Sequence, residues 1–322
     1  MTESVSAVRR YLTDESRLWI AGVFALALVV VPLVADGYFV GILTKAIIFG
    51  LFAISVDIAL GYTGLITLAP AAFFGIGAYT VAKLVVDYDA SFWLGFPVTI
   101  VLAAFVALCI GYVPIKRRIG EVYFVLFTMA FGVIVYDFTF VTTSFTGGSN
   151  GISYVSPPEL FGVSLASTVP YYYFSLLFVG LIVGLLYVLL RSDYGSVLHA
   201  THQNELRMRY LGYDTDREKL LAWIISAVTS SLAGAIYIGT VGIASPSLME
   251  FAFTGEVIIW VVVGGAGTFV GPFIAAFVLT FLEDYLGSLW AEGYLIVLGL
   301  LFVAFIFLLP EGVMGRLRSG SD

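Results

Sequence analysis

The sequence predicts an all-α polytopic membrane protein of about ten transmembrane helices, interrupted by broken or re-entrant glycine-rich segments. Three observations predict it. First, 60% of the 322 residues are apolar and 11% are charged, against roughly 45–50% and about 25% in soluble domains. Second, the apolar residues fall in runs of the length needed to cross a bilayer, about 20 residues. Third, the remaining charge is gathered: residues 191–219 hold ten of the 37 charged side chains and both histidines, His199 and His202. A single charge at a bilayer centre costs about 2.5–3.5 kcal/mol, so this stretch must be a solvated loop.

In chain order, apolar runs at 18–35, 39–60, 65–86, 92–114, 121–142, 171–191, 219–241, 249–267, 271–287 and 291–309 give ten candidate spans. The first is too long for a signal-peptide core and has no clean small-residue cleavage site, so it reads as a retained span. Lys and Arg orient the set, because cytoplasmic loops are enriched in them. Arg9, Arg10 and Arg17 precede the first span, and Lys116, Arg117 and Arg118 follow the fourth. Arg191, Arg207, Arg209, Arg217 and Lys219 follow the sixth, and Arg316 and Arg318 follow the tenth. Ten crossings place all of them on one side, with both termini in the cytoplasm. The loops at 143–170 and 242–248, which contain no Lys or Arg, then lie outside. The expected layout is a cytoplasmic tail at 1–17, a transmembrane domain at 18–310 with a cytoplasmic loop at 192–218, and a second tail at 311–322. A lone cysteine, Cys109, excludes an internal disulfide, and the net charge of −7 gives no nucleic-acid signal.

Three glycine clusters interrupt the apolar pattern. In 61–79, GYTGLITLAPAAFFGIGAY, Pro70 lacks the N–H that an interior helix position needs. Broken helices at membrane depth are buried in protein or line a watery cavity. Gly61, Tyr62, Thr63 and Gly64 are therefore candidates either for close helix packing or for a substrate path. Residues 264–272, GGAGTFVGP, contribute Gly264, Gly265 and Gly267 to the same two readings. That segment has no Lys, and Val270 stands where GxGxxG needs its last glycine, so nucleotide binding is rejected. The third cluster, TGGSNGI at 146–152, reads as a structural turn.

Ionisable residues in or beside spans are Lys45, Asp57, Lys83, Asp137, Glu256, Glu283 and Asp284. Asp57 and Glu256 are the stronger candidates for function, since each precedes a glycine cluster. A structural hydrogen-bonding role stands beside that reading. No metal-ligand cluster and no pairing of nucleophile with base occurs in the sequence.

Within the polar loop, Tyr194, Val197, Leu198, Thr201, Met208 and Leu211 recur at helical spacing. Asn204 suits an N-cap and Gly212 a C-terminal stop. Thr215 with Glu218 has the form of a capping box before the next span. One or two short helices across the cytoplasmic face are expected.

Five segments in order resemble one family, the second of the paired permease types of branched-chain amino acid ABC importers. GYTG with AAFFGIGAY at 61–79 resembles its GYTGQ-SLGHAAFFGIGAY. TMAFGVIV at 128–135 with TGGSNGI, SDYGSVLHATHQNELRMRYLGYDTDREKLLAWIISA at 192–227, GEVIIWVVVGGAGTFVGPFIAA at 255–276 and FLLPEGVMG at 307–315 follow. The resemblance implies a transport subunit that is not itself an enzyme and holds no cofactor. Its partners would be a homologous permease, two ATPase subunits that bind ATP and Mg, an extracellular substrate-binding protein and membrane lipid, with no nucleic acid. It implies that the 192–218 loop couples to the ATPases, which carries over to Gly195, Glu205 and Gly212, with His199 and Arg207 in the same loop. Where the family has two small residues after the acidic one, this chain has Arg207 and Met208. Leu65 replaces a common Gln, and Ala69 with Pro70 replaces Gly-His. The substrate expected is a branched-chain or other apolar amino acid, moved by alternating access. Urea and short-chain amide permeases share much of the pattern. An ion-coupled secondary transporter using Asp57 and Glu256 is the alternative of another class.

Overall fold

The computed structural model describes residues 26–160, 163–289, 299–300, 312 and 314. Helix α1 (Gly37–Thr63) is apolar on every side and buried along almost its whole length, as a central helix must be. Around it pack α5 (Thr168–Arg191), α8 (Thr215–Val241) and α10 (Val270–Leu289). Helix α2 (Pro70–Asp87) lies against α8 and α3 (Phe92–Lys116), and α8 also packs on α3. Helix α4 (Glu121–Val141) is the most peripheral. The polar loop forms α6 (Asp193–Gln203) and α7 (Glu205–Tyr210), and a shorter apolar helix, α9 (Phe251–Gly264), packs on α10.

Lipid tails are as apolar as leucine, so burial alone does not join helices in a membrane; small residues and buried hydroxyls do. The α2–α8 contact is built this way. A methyl group on Gly77 would stand 1.8 Å from the Ser231 carbonyl oxygen, and one on Gly234 would stand 1.9 Å from that of Phe74. Each glycine thus admits the other helix's backbone. Ser231 Oγ donates to the Phe73 carbonyl at 2.7 Å, and Ser226 Oγ donates to that of Ser55 at 2.5 Å. Trp223, buried on α8, donates Nε1–H to the Ala107 carbonyl at 2.8 Å and lies over Gly111.

The inter-helix segments gather at two ends. At one, β1 (Ile152–Ser153) pairs antiparallel with β4 (Ile243–Ala244), while β2 (Glu159–Leu160) pairs with β3 (Val163–Ser164). Lys83 Nζ donates to the Phe145 carbonyl at 2.7 Å there, and Trp93 Nε1 donates to that of Glu159 at 2.9 Å. The TGGSNGI segment is a turn with Gly147, Gly148 and Gly151 at positive φ. At the other end lie residues 117–120, the polar loop and the 265–269 turn.

Among the described residues, seven helices are long and apolar enough to cross a membrane. They correspond to the second to seventh and the ninth of the ten expected spans. The first and tenth, at 18–35 and 291–309, lie largely outside the described residues. The eighth, expected at 249–267, is corrected. A 3₁₀ turn at Pro246–Met249 precedes the 14-residue α9, which at 1.5 Å per residue reaches only about 21 Å, against a hydrocarbon core of about 30 Å. Helix α9 begins level with the middle of α1, where the Phe253 ring lies 5.6 Å from Phe49 and 5.3 Å from Phe52. The span expected at 65–86 likewise starts late, at Pro70, after a non-helical segment at 64–69. Thr254 Oγ1 accepts from the Ala71 N–H at 3.4 Å, so the starts of α2 and α9 meet.

Candidate functional site: a charge-braced loop seated on a glycine junction

The polar loop is capped at its middle and at its C-terminal end by its own side chains. Asn204 Oδ1 accepts from the Arg207 N–H at 2.9 Å and starts α7, as its side chain predicts. Gly212 follows at φ +93°. The capping box expected at Thr215 is corrected: Asp214 is the N-cap of α8, accepting from the Arg217 N–H at 3.1 Å. With the acceptor one residue earlier, the Thr215 hydroxyl is free to donate to Glu205 at 3.2 Å and to accept from Arg209 Nε at 2.8 Å.

Glu205 is the centre of a bracing network. Its carboxylate pairs with Arg209 and, at 2.5 Å, with Lys219. Arg209 reaches on to Asp216 at 3.1 Å, and Arg118 meets the same carboxylate at 3.0 Å through a two-nitrogen fork. Lys116 approaches Asp214 at 3.7 Å. Partial burial works against ionisation of Glu205. The hydrogen bond and charge of Lys219, the charge of Arg209 and the Thr215 hydroxyl outweigh it and hold the pKa below the ordinary carboxylate range. Glu205 therefore faces inward. The outer surface of the loop is Leu206, Arg207, Tyr210, Leu211 and Tyr213, all exposed.

The inner face of the loop sits on the transmembrane helices. Gly195 approaches the end of α5 so closely that a methyl group would stand 1.9 Å from the Leu190 carbonyl oxygen. Leu198 and Thr201 are buried on the same face. His202, which spacing did not single out, shares Nδ1 with the Gly61 carbonyl at 2.9 Å and covers Gly64, itself at φ +71°. Its position four residues after Leu198 was the available signal. His199 points away and pairs with Gln203 at 3.2 Å.

Under His202 the two glycine clusters meet. A methyl group on Gly61 would lie 2.1 Å from both the Gly267 nitrogen and Asp57 Oδ1. Asp57, fully buried, accepts from the Gly267 N–H at 2.6 Å and the Phe269 N–H at 3.2 Å. It thereby fixes the turn between α9 and α10, in which Gly265 and Gly267 have φ of +101° and +78°. Gly264 packs on the Gly271 backbone, and Thr63 Oγ1 donates to the Ala59 carbonyl at 2.6 Å. Tyr62 is half-buried beside them. The structure thus brings Asp57, Gly61, Tyr62, Thr63, Gly64, Gly264, Gly265 and Gly267 into one junction that touches the loop. Glu256 is not part of it; its electrostatic neighbours are the carboxylates of Glu250 and Glu283. Among the described residues, no three His, Cys, Asp or Glu converge on a metal site.

An all-α multi-pass bundle with one braced polar loop seated on its helix breaks is the architecture of a membrane transport subunit. Residues 38–306 match the family described as branched-chain amino acid transport system / permease component, and the chain belongs to that family. It is 29% identical to the high-affinity branched-chain amino acid transport system permease protein LivM of Escherichia coli strain K12, over 95% of this chain and 76% of that protein. Identity is 30% to the protein of the same name from Salmonella typhimurium strain LT2, over 92% of this chain and 75% of that one. The ribose import permease protein RbsC of Haemophilus influenzae is a more distant relative, 23% identical over 73% of each chain. No solved structure matches the chain. The protein is accordingly a permease subunit of a branched-chain amino acid ABC importer, a multi-pass, non-catalytic component of the prokaryotic plasma membrane.

Proposed function

We propose that this subunit moves a branched-chain or other apolar amino acid by alternating access. It works with a homologous permease, two ATPase subunits that hold ATP and Mg, and an extracellular substrate-binding protein. The Lys and Arg distribution supports ten crossings with both termini in the cytoplasm, the eighth made by the Pro246–Met249 turn and α9 together, and on this reading residues 192–218 are the coupling loop on the ATPase side. One observation carries the coupling reading: Glu205, Arg209, Asp216 and Lys219 brace α7 against the start of α8, while His202 binds α6 to the Gly61 backbone. A push on α7 is passed to the start of α8 through this network, α6 is tied to the same place by the Tyr194 hydroxyl on the Glu218 carbonyl, and α6 delivers the motion to the junction of α1, α9 and α10 through His202. A conformational change needs contacts that differ between its two states, and the ATPase surface would supply them.

The docking contacts fall on the exposed apolar and aromatic side chains rather than on Glu205. Aromatic anchors dominate protein interfaces, with losses of about 2 kcal/mol or more on truncation. The double substitution Leu206→Ala, Tyr210→Ala is expected to weaken ATPase association about thirtyfold or more, read by co-purification from detergent. Undiminished co-purification together with normal leucine uptake in vesicles would sink the assignment.

A further inference from the structure

We propose that the cleft between the starts of α2 and α9 and the outer half of α4 is the seat in which the amino acid rests as it crosses. The inference rests on the reading of the chain as an amino-acid permease and adds the place and the groups. The cleft measures about 290 Å³, near the lower bound of about 300 Å³ for small-molecule sites. It lies at mid-depth on the α4 side of the bundle, because α9 begins level with Phe49 and Phe52 of α1.

Its lining matches a zwitterion with an aliphatic side chain. Ala72, Met129, Val133 and Met249 form an apolar wall. Asp137 and Glu250 line it, both exposed, and neither carboxylate makes an ion pair or hydrogen bond within the described residues. A carboxylate in an otherwise apolar span is not left facing lipid, so Asp137 faces protein or an aqueous path. Glu250 occupies the N-cap position of α9 without using its side chain as a cap. The two carboxylates suit the substrate ammonium. The first N–H groups of α9, which have no intrahelical acceptors, suit its carboxylate, as broken helices do in other transporters. The methionines suit branched side chains of more than one shape.

The test uses the assembled transporter in proteoliposomes, with its binding protein and ATP, and radiolabelled leucine, isoleucine and valine. Asp137→Asn combined with Glu250→Gln is expected to lower the maximal leucine uptake rate at least tenfold, with the yield of assembled complex unchanged. Asp137→Glu should recover part of it. Ala72→Leu, which narrows the apolar wall, should reduce leucine and isoleucine uptake at least threefold more than valine uptake. Wild-type uptake in all three variants overturns the seat while leaving the permease reading intact. A fall in assembled complex with unchanged uptake per complex also overturns it, since Asp137 would then be a contact between subunits. Failure of the wild-type transporter to move any of the three amino acids removes the substrate reading and this proposal together.

Discussion

Asp57 and Asp137 are both aspartates within apolar helices, and the structure treats them in opposite ways. Asp57 is fully buried and accepts from two backbone N–H groups. Asp137 is exposed on a cleft, and its carboxylate makes no hydrogen bond or ion pair among the described residues. The difference is one of completion. A junction whose polar groups are all paired holds a shape, and a cleft whose carboxylates are unpaired keeps its bonding capacity for something else. Intramembrane acids default to a functional reading, and here partner geometry sorts them better than depth or neighbouring motifs.

The hardest test of that sorting is Gly61→Ala. The added methyl would meet the Gly267 nitrogen and Asp57 Oδ1 at 2.1 Å. Two backbones would have to separate, which costs about 3 kcal/mol or more. Loss of monodisperse protein in detergent is expected, and a thermal midpoint within a degree of wild type would show that the junction is looser than described.

A direct contrast follows at somewhat smaller scale. Asp57→Ala leaves the Gly267 and Phe269 N–H groups without their acceptor, at a cost of about 1–3 kcal/mol each. Asp137→Ala removes a side chain with no partner, and its effect on stability should stay within about 0.5 kcal/mol. Equal losses in thermal midpoint for the two variants would erase the distinction between junction and cleft.

Much of this was legible in the sequence. Hydropathy located seven expected spans as long helices, and the Asn204 cap followed from one side chain and its spacing. The eighth span misled because hydropathy measures how apolar a segment is, not the depth at which its helix starts. The 3₁₀ turn at Pro246–Met249 delays α9 until mid-bundle. Asp57 was marked as important but its role was not readable, because its donors lie more than 200 residues away. Between Asp214 and Thr215, two residues that both cap helices, composition gave no means of choosing. For Glu205, the resemblance pointed to a coupling role, and only the positions of Arg209 and Lys219 turn it inward.

That inward network makes an acid-sensitivity prediction of moderate size. The folded pKa of Glu205 lies below its ordinary value. Its contribution is therefore complete above the ordinary carboxylate range and is lost as pH falls through the lowered folded value. Thermal midpoints of wild type and Glu205→Gln should differ at pH 7 and converge on acidification. A gap that is constant with pH would mean that charge is not what Glu205 supplies.

The smallest loss of stability expected separates two kinds of glycine. Gly61 is required by space, whereas nothing lies within 4 Å of a methyl group on Gly212. Gly212 is required only by its φ of +93°, so Gly212→Ala should cost about 1 kcal/mol. The same empty space makes the substitution informative. In the isolated chain the methyl meets nothing, and ATPase co-purification should follow stability closely. If Gly212→Ala removes ATPase binding while shifting the thermal midpoint by only a few degrees, the space beside Gly212 is occupied by the partner. The docking surface would then extend from Leu206 and Tyr210 around the end of α7.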